Sequence, residues 1–173
     1  MSRALESLPN VDEHAVTIEA GREVAWLALL RMVETAGPGR FARFLGCLDT
    51  AASGPRPLAE WSTVPGFHVV QVDRPRELAL AGRHRYSDYA LVFRLDELGP
   101  ERCRLHAETR AEFPGTMGAV YRALLMGAGL HALATRRMLQ TVRRDAERAA
   151  ARAAARPAPA RGRMPRRRRS APR

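Results

Sequence analysis

Side chains able to move a proton or hold a polar ligand group fall in two places along this 173-residue chain. His84 lies close to Tyr86 and Tyr89, and His131 follows Leu124 on an apolar helical stripe that also carries Tyr121. An imidazole titrates near neutrality, so one aimed into a cavity can polarise a carbonyl or accept a proton. The alternative for each is structural. His84 can hydrogen-bond within its hairpin, His131 can sit satisfied in a core, and the tyrosines can simply pack. Cys47 and Cys103 form neither a CxxC pair nor a disulfide framework. Cys103 reads as a small strand hydrophobe, and Cys47 has no histidine nearby to activate it. His68, His84, His106 and His131 have no metal-ligand spacing among themselves or with the cysteines, so no metal is expected. P-loop, GxGxxG, GxSxG and HExxH patterns are absent, and no cofactor is implied.

The elements that would position these groups can be read from periodicity. A short strand begins at His14, and Gly21 ends it. Val24, Leu27, Leu30 and Val33 recur at helical steps until Gly37-Pro38-Gly39. Phe41, Phe44, Leu45 and Leu48 suggest a second short helix that also carries Cys47, followed by a loop from Thr50 to Pro65. Four strand-like runs come next, Phe67–Asp73, Glu77–His84, Tyr89–Leu95 and Arg102–Phe113. Their short connections allow only antiparallel neighbours. In the last run Cys103, Leu105, Ala107, Thr109 and Ala111 alternate with Arg104, His106, Glu108 and Arg110, giving one core face and one charged face. Leu80 and His84, and Tyr89 and Phe93, lie on the matching apolar faces of their strands. The cover for that surface is a helix from Thr116, with Met117, Val120, Tyr121, Leu124, Ala128, His131, Met138 and Val142 on its stripe and no breaker before Pro157.

Length and composition suit one domain, spanning 12–149, with a real core. All 29 basic residues are arginine, and the net charge is +11. Nine of those arginines fall after Ala149 with no acid among them, which leaves +2 for the rest. A nucleic-acid-binding surface on the fold itself is therefore not indicated. The stretch 150–173 is rich in Arg, Ala and Pro, cannot form a core, and is expected to be disordered. Its densest run, Arg166, Arg167, Arg168 and Arg169, either contacts polyanions or reflects a GC-rich coding bias, which the absence of lysine also suggests. No apolar signal region opens the chain. The most apolar stretch, 117–134, contains Arg122 and His131 and makes a poor membrane span. A cytoplasmic location and a reducing compartment are the expectation.

The order strand, helix, helix, antiparallel meander, long helix resembles the SRPBCC superfamily of START and birch-pollen-allergen-like domains. The segments Ile18–Trp26, Gly66–Leu78 and Phe113–Tyr121 are similar to that family's strand-to-helix entry, sheet-opening hairpin and start of the lid helix. The family commonly has six or seven strands, so 50–65 either hides one near Trp61 or leaves the cavity smaller or open on one side. The resemblance implies an α+β helix-grip fold, a curved antiparallel sheet closed over an apolar cavity by the C-terminal helix. It does not imply one reaction, since the same fold serves several functions. On that reading Leu80, His84, Tyr89, Phe93, Thr109, Tyr121 and His131 line the cavity. Three functions follow: a binder of a lipid or polyketide-like metabolite, a cyclase- or dehydratase-like enzyme using cavity His and Tyr, or a module docking on polyanions through its tail.

Overall fold

The computed structural model describes residues 7–35, 47–84, 87–127 and 129–155, with the backbone alone at 121, 124–127 and 130. Strand β1 (Asn10–Ile18) leads through Gly21 into helix α1 (Arg22–Glu34). The short β2 (Thr63–Val64) and the longer β3 (Phe67–Asp73), β4 (Glu77–His84), β5 (Ser87–Gly99) and β6 (Arg102–Glu112) follow. Helices α2 (Gly115–Gly127) and α3 (Leu130–Ala154) close the described chain. The strands form one six-stranded antiparallel sheet in the order β1-β6-β5-β4-β3-β2. The first strand thus pairs with the last, which places β1 at an edge. The strand near Trp61 is present as β2. Trp61 itself precedes it in a left-handed turn, with φ of 71°.

The alternation that predicts the strands also builds the core. Across the sheet Val16 faces Leu105 and Leu105 faces Leu95, while Ala107, Phe93 and Leu78 form the next row. Directly opposed residues share a face, and all of these are buried. Helix α1 covers them with Ala25, Trp26, Ala28, Leu29, Met32 and Val33. Helix α3 adds Leu139, Val142 and Ala146, spaced to one side of the helix and almost wholly removed from water. Burying a side chain such as Leu139 contributes about 1.5–3 kcal/mol. Glu147 ties α3 to the end of β1, its Oε1 accepting from the Glu19 N–H at 3.2 Å and from Arg143 at 2.9 Å.

The opposite face of the sheet is not simply wet. Ala79, Ala90 and Val92 are buried there, packed with Val70, Ala81 and Leu8. Glu108, expected on a charged, solvated face, is buried between Arg94 and Arg110.

Three sequence expectations are corrected. The single helix from Thr116 onward is two helices, because Gly129 takes a left-handed conformation at φ 63°, which a right-handed helix cannot contain. Met117 and Val120, expected on the inward stripe, are exposed, whereas Val142 is buried and Met138 packs against the core. Cys47, expected on a second helix, instead bridges His84 in extended conformation, and the Leu48 N–H donates to the Arg83 carbonyl at 3.0 Å. Phe41, Phe44 and Leu45 lie outside the described residues. So do Arg166, Arg167, Arg168 and Arg169. Helix α3 continues to Ala154, short of the breaker at Pro157, as alanine's high helix propensity favours.

Candidate functional site

The packed core occupies the end of the sheet where β1 and β5 finish and β6 begins. At the other end the same covered face carries polar groups. Stepping back by twos from the buried Ile18 and Val16 brings His14 and then Asp12 onto that face. The register agrees, since His14 pairs with Ala107 and Asp12 with Thr109. A register shift between Asn10 and Asp12 marks the start of the strand, a place where bulges often re-aim side chains. From above, the first turn of α3 brings His131 down onto the same spot.

Four side chains meet there. His131 Nε2 lies 3.0 Å from Thr109 Oγ1 and 3.5 Å from Asp12 Oδ1. The other carboxylate oxygen, Asp12 Oδ2, lies 3.3 Å from His14 Nε2. One carboxylate therefore stands between two imidazoles, with a threonine hydroxyl beside one of them. The contacts are incomplete. Asp12 Oδ1 and His14 Nε2 are buried yet make no hydrogen bond, because neither ion-pair approach has hydrogen-bond alignment. Among the described residues the Nδ1 atom of neither ring has a hydrogen-bond partner. Thr135, wholly buried one turn along α3, donates to the His131 carbonyl at 3.1 Å and so fixes the turn that carries the ring. Among the described residues no group of three or more His, Cys, Asp and Glu is placed to hold a metal ion.

A second group lies near the same end of the sheet, at the junction of β3, β4 and β5. Tyr89 donates its hydroxyl to the Gly66 carbonyl at 2.7 Å and approaches Cys47 Sγ at 3.4 Å. Its ring meets Phe67 edge-on, with centroids 5.2 Å apart. His84 is half-buried beside Cys47, and burial holds its imidazole below the ordinary value. These contacts give Tyr89 and His84 structural partners.

Of the residues expected to line a cavity, the structure brings Thr109 and His131 into contact. Leu80 and Phe93 sit in the apolar core, both at most 2% exposed. Tyr89 and His84 belong to the second group, and Tyr121 lies on α2 with only its backbone described. Sequence reading missed Asp12 and His14. The signal was available in the period of two running back from Ile18, once the strand is allowed to begin at Asn10. A cleft of about 550 Å³ lies at the far end of the sheet, lined by Arg22, Arg76, Glu77, Arg94 and neighbouring residues, and shares none of the expected set.

No family model and no curated protein matches the sequence. Solved structures do match. A protein from Chromobacterium violaceum superposes with a TM-score of 0.50 at 12% identity, over 80% of this chain and 99% of that one. Its likeness, together with the open sheet of six antiparallel strands and the covering helices, decides the architecture. The chain has a helix-grip fold. Further helix-grip structures similar to it include a norcoclaurine synthase from Thalictrum, with TM-score 0.48 and 12% identity over 83% of this chain and 99% of that one. CalC, a self-sacrificing resistance protein from Micromonospora echinospora, gives TM-score 0.45 and 18% identity over 83% and 97%. Within this helix-grip chain, no helix of the described residues is long and apolar enough to cross a membrane.

Proposed function

We propose that this helix-grip domain binds a small, largely apolar molecule bearing a carbonyl or hydroxyl group, at the end of the sheet where Asp12, His14, Thr109 and His131 meet. One observation carries the reading. Two polar atoms, Asp12 Oδ1 and His14 Nε2, are buried on the covered face of the sheet without hydrogen bonds. Leaving such atoms unsatisfied costs about 1–3 kcal/mol each, so the site favours a guest that supplies the missing partners. Small-molecule sites generally pair apolar walls with a few convergent polar groups. Leu91 and Leu80, which continue the Thr109 row across the sheet, supply apolar wall here. Of the other residues expected at the cavity, Tyr89, His84 and Phe93 are proposed as the rest of its wall, with Thr109 and His131 as anchors.

Native mass spectrometry of the chain purified from its own host tests for a co-purifying molecule. Titration with Nile red, an apolar dye that carries a carbonyl, tests the anchor. The paired change Thr109→Val and His131→Ala is expected to weaken binding about tenfold, the worth of one charge-assisted hydrogen bond. Unchanged affinity in the doubly substituted chain would remove the anchor.

A further inference from the structure

We infer that Asp12, His14 and His131 form an acid–base set that moves a proton at the carbon next to a ketone carbonyl of the bound molecule. The inference rests on the binding reading above, and gives that site an activity. Holding a ligand would need only the Thr109 hydroxyl and one ring. The site instead has two imidazoles, and both turn Nε2 toward the same carboxylate, at 3.3 Å on Oδ2 and 3.5 Å on Oδ1. A carboxylate at one ring nitrogen orients the ring and leaves the other nitrogen for a reactant. Here that arrangement occurs twice on one aspartate. The single carboxylate of Asp12 faces both rings, so with one ring protonated and the other neutral the pair would serve as proton donor and proton acceptor together. Thr109 holds His131 through Nε2 at 3.0 Å, so His131 is the better-fixed ring and takes the role of base. The long, poorly aligned approaches to Asp12 are usual for catalytic groups before a ligand closes the site.

The step balances without a further reactant. The C–H bond beside the ketone breaks, its proton passes to Nδ1 of His131, and its electron pair forms the C=C bond of the enol. The carbonyl oxygen takes a proton from the His14 imidazolium. The reverse step returns a solvent-derived proton to carbon, so a ketone that is merely turned over exchanges its α-hydrogen.

The test uses the full chain and 2-tetralone in D2O. Binding is followed by ligand-observed NMR and deuterium uptake at the α-carbon by mass spectrometry. Exchange is expected to exceed that given by the same concentration of free imidazole. Asp12→Asn, His14→Ala and His131→Ala should each lower it by about 100-fold, the lower range for a positioned acid or base. His106→Ala, on the opposite face of the sheet, should leave it unchanged. Circular dichroism confirms that each variant folds. Nitrogen-15 NMR of the histidine rings gives a second reading, since Asp12→Asn should shift the His14 and His131 ring signals and leave His106 alone. If 2-tetralone binds but exchanges no faster than with free imidazole, the acid–base inference is overturned and the binding reading stands. Exchange that persists in Asp12→Asn and His131→Ala overturns it equally. If neither 2-tetralone nor Nile red binds, the binding reading falls and takes this one with it.

Discussion

Tyr89 lies across Gly82, its partner in the β4–β5 register, because nothing but hydrogen projects from Gly82 toward the ring. A β-carbon there would collide with the Tyr89 ring and with the Gly66 carbonyl that accepts the Tyr89 hydroxyl bond. Gly82→Ala is therefore expected to destabilise by about 1–3 kcal/mol, the usual cost of overpacking. Tyr89→Phe should cost about 0.5–1.5 kcal/mol through the lost hydrogen bond alone. Urea denaturation of the two variants checks both, and equal stability of Gly82→Ala and the parent would mean the ring can move aside.

Glu108 gives a prediction with a direction in pH. Burial works to raise its carboxyl, but the hydrogen bond and charge of Arg110, with Arg94 and Asn10, outweigh it and hold the group below the ordinary 4.5. A depressed carboxylate contributes stability that is present above its unfolded value and lost as pH falls through the folded one. The urea midpoint should therefore drop as pH is lowered below about 4.5. Glu108→Gln should cost about 1.5–3 kcal/mol near neutrality. The curves of parent and variant should converge in acid. Parallel curves down to the acid limit would exclude Glu108 as the source.

His84 acts in a higher window. Burial lowers its imidazole from the ordinary 6.5, so the unfolded chain binds the proton first as pH falls. Stability from this residue is complete above about pH 6.5 and declines as pH drops from there toward the lower folded value. The difference in midpoint between parent and His84→Gln should shrink over that interval. A difference that grows on acidification would contradict the sign.

The two thiols should be chemically distinct. Cys103 is wholly buried, and burial pushes its thiol up to about 11. Cys47 is partly exposed. A colorimetric disulfide reagent should titrate one thiol in the folded chain and both in denaturant. Rapid labelling of Cys103 under native conditions would show that β6 opens readily.

How much of this was legible before the structure depended on whether local pattern carried the information. The alternation from Cys103 to Ala111 identified β6 and its inward residues, because a half-buried strand writes its two faces into the sequence. The same alternation misplaced Glu108, since a charged residue paired with arginines on neighbouring positions and strands looks, in sequence, like a solvated one. The break at Gly129 was hidden because glycine is tolerated inside helices and only φ distinguishes the two cases. Thr109 and His131 were picked out as candidates. Their companions Asp12 and His14 were not, as two polar residues at the start of a strand resemble a solvated end. Only the pairing of β1 with β6 shows that they sit beside Thr109.

That pairing also sets an order in time. Asn10 and Glu108, hydrogen-bonded at 3.1 Å, are 98 residues apart, and Glu19 meets Glu147 across 128. Among the six strands of the sheet, the one bearing Asp12 and His14 is made before the other five, and it has no sheet partner until β6 has emerged. His131 arrives later still. Contacts this distant are slow to form, because the entropy of closing so long a loop is lost before any contact rewards it. During synthesis the β2–β5 meander can pair locally while β1 waits with an unpaired edge. The polar cluster is thus completed only when nearly all the folded chain exists, so a nascent or truncated chain lacking α3 could present the sheet but not the assembled site.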